Sequence, residues 1–189
     1  VSSLNFAGSV GDDTLVLDVS NGAPLENIAM NFDGGNDGVD TLRLIGSAAG
    51  DDAVWNDTST ALGGAIVNYT GVEKRIFDGG GGFDDLTLDE VSVTFPTSQE
   101  FQSLHLADGS DATLQGTSAV VVVVRAIQLD GSAWLDLVDN DLVVDYTGAG
   151  SPIGSWNGSA YTGVAGLIAS AFNFHEWDGP GLRTSEAAA

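Results

Sequence analysis

Short alternating apolar runs, each cut off by a Gly/Asp/Asn turn, fill residues 1–147 and narrow the folds open to this chain. The runs include Leu15-Val16-Leu17, Ile28 to Phe32, Leu42-Arg43-Leu44, Ala65 to Tyr69 and Leu86-Thr87-Leu88. Val91 to Phe95, Leu104-His105-Leu106, Val120 to Val124, Ile127-Gln128-Leu129, Leu135-Asp136-Leu137 and Leu142-Val143-Val144 follow. Each has the length and β-branched content of a short strand. No stretch before residue 160 keeps a helical period, so this part reads as all-β.

Internal echoes choose between a sandwich and a stack of repeats. Phe6 to Leu17, Phe32 to Leu44 and Phe77 to Leu88 each run aromatic, glycine turn, Asp, then a Leu-x-Leu strand. A second echo sets Leu104-His105-Leu106 against Ile127-Gln128-Leu129, 22 to 23 residues on. That offset suits one rung of a three-sided solenoid, with three short strands and three turns. A Greek-key sandwich is the alternative, but it does not account for the spacing. The expected fold is therefore all-β, a right-handed parallel β-helix (β-solenoid) with a C-terminal cap. Residues 1–147 form its rungs and 148–189 the cap, as one structural unit.

Within the cap, Gly163 to Phe172 is the helix candidate, with Val164, Leu167, Ile168 and Ala171 on one face. Gly179-Pro180-Gly181 is expected to end regular structure. The five-valine run at 120–124 fits a strand covered on both faces. The chain reads as a piece of something longer, with further rungs ahead of Val1.

Charge restricts the partners. Five Lys+Arg stand against 27 Asp+Glu, a formal −22, which repels phosphate backbones and anionic bilayers. No nucleic-acid partner and no membrane insertion are expected; the longest apolar run, Ala119 to Val124, is too short to span. Of the acids, 21 are Asp, a compact turn-favouring oxygen donor, so Ca²⁺ is the natural cofactor to consider. With no cysteine there is neither a disulfide nor a thiolate zinc site. The composition fits a secreted or cell-surface protein.

Two resemblances follow from these residues. Gly79-Gly80-Gly81-Gly82-Phe83-Asp84-Asp85-Leu86-Thr87 resembles the G-G-x-G-x-D-x-L-x nonapeptide of haemolysin-type calcium repeats. Gly8 to Leu15 matches with one glycine replaced, and Gly34 to Leu42 carries one extra residue. In that family the motifs recur every nine residues, whereas here they lie about 27 and 44 apart. The segments Val67 to Gly80, Leu135 to Gly148 and Trp177 to Ser185 are similar to C-terminal β-helix regions of large secreted bacterial surface proteins. That resemblance implies location, architecture and other domains of a parent chain. It names no reaction.

Three functions compete. The leading one is a non-catalytic carbohydrate-binding module for a polysaccharide (a neutral plant or microbial glycan). Its contacts would be Trp55, Trp134 and Tyr69 stacking on sugar, with Asn56 and Asp57 bonding hydroxyls. Tyr146, like Tyr69, follows a strand pattern, and Trp156, Tyr161 and Trp177 are read as cap aromatics. Calcium would sit on Asp33, Asp37 and Asp40 and on the equivalent Asp78, Asp84 and Asp85. The second reading is a structural or adhesive stalk without a glycan site. The third is a β-helical lyase or hydrolase, for which Arg43, Lys74, Arg75, Arg125 and Arg183 supply the few cations. His105 and His175 are read as structural or exposed, and no catalytic residue is named.

Overall fold

The computed structural model describes residues 3–22, 28–115, 119–147 and 151–188. The chain is mostly strand and alternates between two sheets. The first holds β1 (Ser3–Ala7), β3 (Ala29–Asp33), β5 (Asp52–Asn56), β6 (Ser59–Leu62), β7 (Ala65–Thr70) and β9 (Asp84–Asp89). It continues through β11 (Gln99–Leu106), β13 (Val121–Val124), β14 (Ile127–Leu129) and β16 (Asp141–Val144). The second holds β2 (Thr14–Asp18), β4 (Thr41–Ile45), β8 (Lys74–Asp78), β10 (Ser92–Phe95), β12 (Asp111–Leu114), β15 (Trp134–Asp136) and β17 (Gly181–Arg183). One α-helix, α1 (Gly163–Phe172), covers the bounds expected from its apolar face. It packs on β17.

Strands pair in parallel throughout, except where β6 runs antiparallel between β5 and β7. In the first sheet the order is β1-β3-β7-β6-β5-β9-β11-β13-β16, with β14 beside β11; in the second it is β17-β15-β12-β10-β8-β4-β2. The expected all-β, parallel architecture is present, and neither sheet closes on itself among the described residues. The expected third side is not a separate sheet, because β13 and β14 both lie against the long β11. The repeat of Leu104-His105-Leu106 in Ile127-Gln128-Leu129 is a true register, residue facing residue.

Alternation along each strand sends one set of side chains into a single core shared by both sheets. In β4, Leu42 and Leu44 are buried while Arg43 between them reaches the outer face. In β13 the valines at 122 and 124 are buried and those at 121 and 123 half-buried, so the run is not fully covered on both faces. Phe77, Phe95 and Phe101 pack against each other with ring centroids 5.5–6.2 Å apart. They lie near the level where the β5–β6 hairpin adds two strands to the first sheet, and there β8 and β10 share only the Ile76–Thr94 pairing.

The three aromatic–glycine–Asp segments do not stack as one column. Phe6 faces Phe32, and Leu15 and Leu17 face Leu42 and Leu44. Phe77 instead faces Leu44 in the second sheet, while Leu86 and Leu88 lie in the first. The third copy therefore serves the opposite corner of the molecule. One further expectation is corrected. Residues after Gly179-Pro180 do not leave regular structure, because Gly181–Arg183 forms β17 against β15.

Candidate functional site

The Gly/Asp corners are built to one plan. At the corner between β1 and β2, Asp13 turns inward and its Oδ2 accepts the Ser9 N–H at 3.0 Å. Asp40 Oδ1, at the start of the paired strand, accepts the N–H of Asp13 at 2.7 Å, and Glu73 Oε2 accepts that of Asp40 at 2.8 Å. The opposite corner repeats the scheme: Asp51 Oδ2 takes the Ser47 N–H at 2.6 Å and Asp84 Oδ1 takes the Asp51 N–H at 2.9 Å. Gln99 Oε1 then accepts from Gly79 N at 2.8 Å. Backbone N–H groups that leave the sheet ladder at a corner need an acceptor, and a short carboxylate supplies one. A hydrogen bond to a charged acceptor contributes about 1.5–3 kcal/mol.

The glycines have a matching reason. A Cβ on Gly8 would lie 2.6 Å from Asp13 Oδ2, and one on Gly34 would lie 2.7 Å from Asp40 Oδ2. Each would also strike a carbonyl of the neighbouring turn, Gly34 O or Gly71 O. On Gly79 it would run into Asp84 Oδ2 itself. The Gly-to-Asp spacing is thus the reach of an inward carboxylate folded back over a bare Cα.

Of the six aspartates singled out for calcium, Asp40 and Asp84 are buried ladder members, 1% and 2% exposed. Asp33 accepts the Thr70 hydroxyl, and Asp37 gives its carbonyl to Gly11 N. Asp78 pairs with Arg43 at 3.3 Å, and Asp85 lies exposed on β9 facing Asp52. Among the described residues no three His, Cys, Asp or Glu side chains converge. Burial raises Asp84 to about 7; the Asp51 N–H opposes this, and the charges of Asp51, Asp85 and Glu100 add to it.

Of the three aromatic residues expected to face a glycan, Trp55 and Tyr69 lie in the core. Trp55 is fully buried in β5, facing Leu88 on one side and Thr60 on the other. Alternation over Asp52–Asn56 places it on the face of Ala53, a signal present in the sequence but hidden by the polar residues around it. Tyr69 is buried; its hydroxyl donates to the Asn56 carbonyl and accepts from Arg75 Nε at 3.0 Å. Burial raises the Tyr69 hydroxyl above its usual range, with Arg75 opposing. Asn56 spends its Oδ1 closing the hairpin turn onto Thr58 and Ser59 N–H. Asp57 is exposed at the tip of that turn. Trp134 is half-buried, with the Arg183 guanidinium 3.3 Å from its ring centre.

None of the five lines the apolar concavity at the C-terminal end. A cleft of about 740 Å³ opens where β16, α1 and β17 meet. Its walls are mostly apolar, from Leu142, Val144, Ile168 and Trp177, with the half-exposed Tyr146 at one side. Its polar lining is largely committed: Asn140 bonds Val120 N and the Leu137 carbonyl, and Thr184 donates to the Val138 carbonyl. Arg183 is 3.9 Å from Asp136. A second groove, about 460 Å³, runs beside Asn5, Asn31 and Asn68, whose amides bond in a line at 2.7 and 3.0 Å.

Lys74 is exposed at the start of β8, whereas the remaining arginines and the histidines lie against neighbouring side chains. Arg75 and Arg125 stack on Tyr69 and Phe83, and Arg125 reaches Asp145 and Gln102. His105 on β11 meets Asp130, just past β14, at 2.9 Å, and that bond holds the Asp130 carboxyl below its usual range. His175 packs edge-on to Phe172. No described helix is long and apolar enough to cross a membrane. Comparisons with protein-family models, with curated proteins and with solved structures gave no match.

Proposed function

We propose that the two sheets are faces of one β-solenoid, and that the chain is a non-catalytic structural module, a stalk segment of a secreted multidomain protein. The observation that carries this reading is the continuous inter-rung bonding. Corner carboxylates and the asparagine line each tie one rung to the next, so the polar residues that stand out in the sequence serve the stack. All four arginines lie against an acid or an aromatic ring, which leaves them poorly placed as a lyase base. The strongly acidic surface keeps such a rod soluble and discourages non-specific anionic contacts.

A second reading keeps carbohydrate binding but moves it. Tyr146, 51% exposed, and Trp177 flank the C-terminal cleft, which has the size of a small-ligand site. Affinity electrophoresis through neutral and acidic polysaccharides separates the two. The structural reading predicts unchanged mobility in every gel. Retardation that disappears in Tyr146→Ala, with unchanged melting, would replace it with the binding reading.

A further inference from the structure

The edge formed by β1 and β2 ends three different inter-rung ladders on unfilled positions. In the asparagine line Asn31 donates to Asn5 and Asn68 donates to Asn31, which leaves the Asn5 amide N–H as the next donor, without a partner among the described residues. In the corner ladder, Asp40 Oδ1 accepts Asp13 N while Asp13 holds only Ser9, through Oδ2. Asp13 Oδ1 is therefore the next open acceptor. In the core column Phe32 and Tyr69 are 5% and 3% exposed, but Phe6 is 40% exposed. A depression of about 260 Å³ lies at this edge, lined by Phe6, Gly8, Asp13 and Leu15.

These open groups share one geometry, repeated within the chain as Asn5-Phe6-x-Gly8 to Asp13 and Asn31-Phe32-x-Gly34 to Asp40. We infer that the β1/β2 edge is a docking surface for one further parallel rung carrying Asn, an aromatic, Gly and Asp in that order. Such a rung would set its asparagine oxygen on Asn5, place a corner N–H on Asp13 and cover Phe6. A parallel edge strand is a template for strand addition. A second copy does not fit. Two such edges facing each other would bring Asp13 acceptors together, and α1 packs over β17 at the opposite end. The inference rests on the reading of the two sheets as faces of one solenoid and stands whether or not the module is a stalk.

The test extends the protein by a tandem copy of Ser3–Ile28 placed directly ahead of Ser3. This duplication preserves the 26-residue offset by which Ser3 faces Ala29. Amide exchange in β1 and β2 is expected to slow, and the midpoint to rise by about 2–4 °C or more. Both effects should vanish when the added copy carries Gly8→Val and Asp13→Ala. An added copy that exchanges freely, with β1 and β2 unchanged, would overturn the inference. So would concentration-dependent protection of β1 in the unextended chain, which would make this edge a self-interface.

Discussion

The backbone N–H of Asp51 donates to Asp84 Oδ1 at 2.9 Å, joining two residues 33 apart in sequence at the start of the paired strands β5 and β9. The bond aligns β5 with β9, whose strands then run in register from Asp52 against Asp85 to Asn56 against Asp89. It also brings two carboxylates into one corner and buries one of them. The corner therefore carries both the order of the stack and a stored electrostatic cost.

That cost has a pH signature. Unfolded, Asp84 ionises near 3.8; folded, near 7. Between those values the native state holds the extra proton, so this group's contribution falls as pH rises from 4 towards 7 and levels above it. Asp84→Asn keeps an acceptor for Asp51 and removes the charge. Its midpoint should exceed the parent's at pH 8, by at least about 1.4 kcal/mol of stability, and the gap should shrink at pH 5. Equal gaps at both pH values would contradict the buried-carboxylate account.

Glycine at position 79 is required by space. Gly79→Ala should cost about 1–3 kcal/mol in urea unfolding, since its Cβ runs into Asp84. Gly81→Ala is the control, with its nearest neighbour atom at an ordinary 3.4 Å and no left-handed φ. It should change stability by no more than about 0.5 kcal/mol.

Trp55 belongs to the core. Trp55→Ala should destabilise by about 3–5 kcal/mol. Where the variant still folds, its mobility in polysaccharide gels should match the parent's. A stable variant with altered mobility would return Trp55 to the surface.

Calcium gives a further check. The corner carboxylates already hold backbone N–H groups, so melting in millimolar Ca²⁺ should match melting in chelator at equal ionic strength. A calcium-specific rise in the midpoint would show a site bound only in the native state.

Much of the fold was legible in the sequence because strand alternation and turn glycines are local signals. The register of Leu104 on Ile127 and the span of α1 could both be read directly. The site residues were harder. Trp55 sits among Asp52, Asn56 and Asp57, and polarity of neighbours hid an inward alternation that only the antiparallel β6 completes. The Gly/Asp motif was visible, but its use was not: a carboxylate accepting N–H groups and one binding a cation share the same spacing. The third copy lies at the other corner because it leaves β8 of the second sheet, where Phe77 falls opposite Leu44.

Register across the stack is the central claim, and cysteine pairs test it most directly because the chain has none of its own. Val54 and Thr87 face each other on the outer side of β5 and β9. Neighbouring strands lie about 4.8 Å apart, within the reach of a disulfide. Val54→Cys with Thr87→Cys should oxidise readily and completely. Val54→Cys with Asp89→Cys, two residues out of register, should stay reduced under the same conditions. Efficient bridging of the second pair in place of the first would contradict the parallel stack.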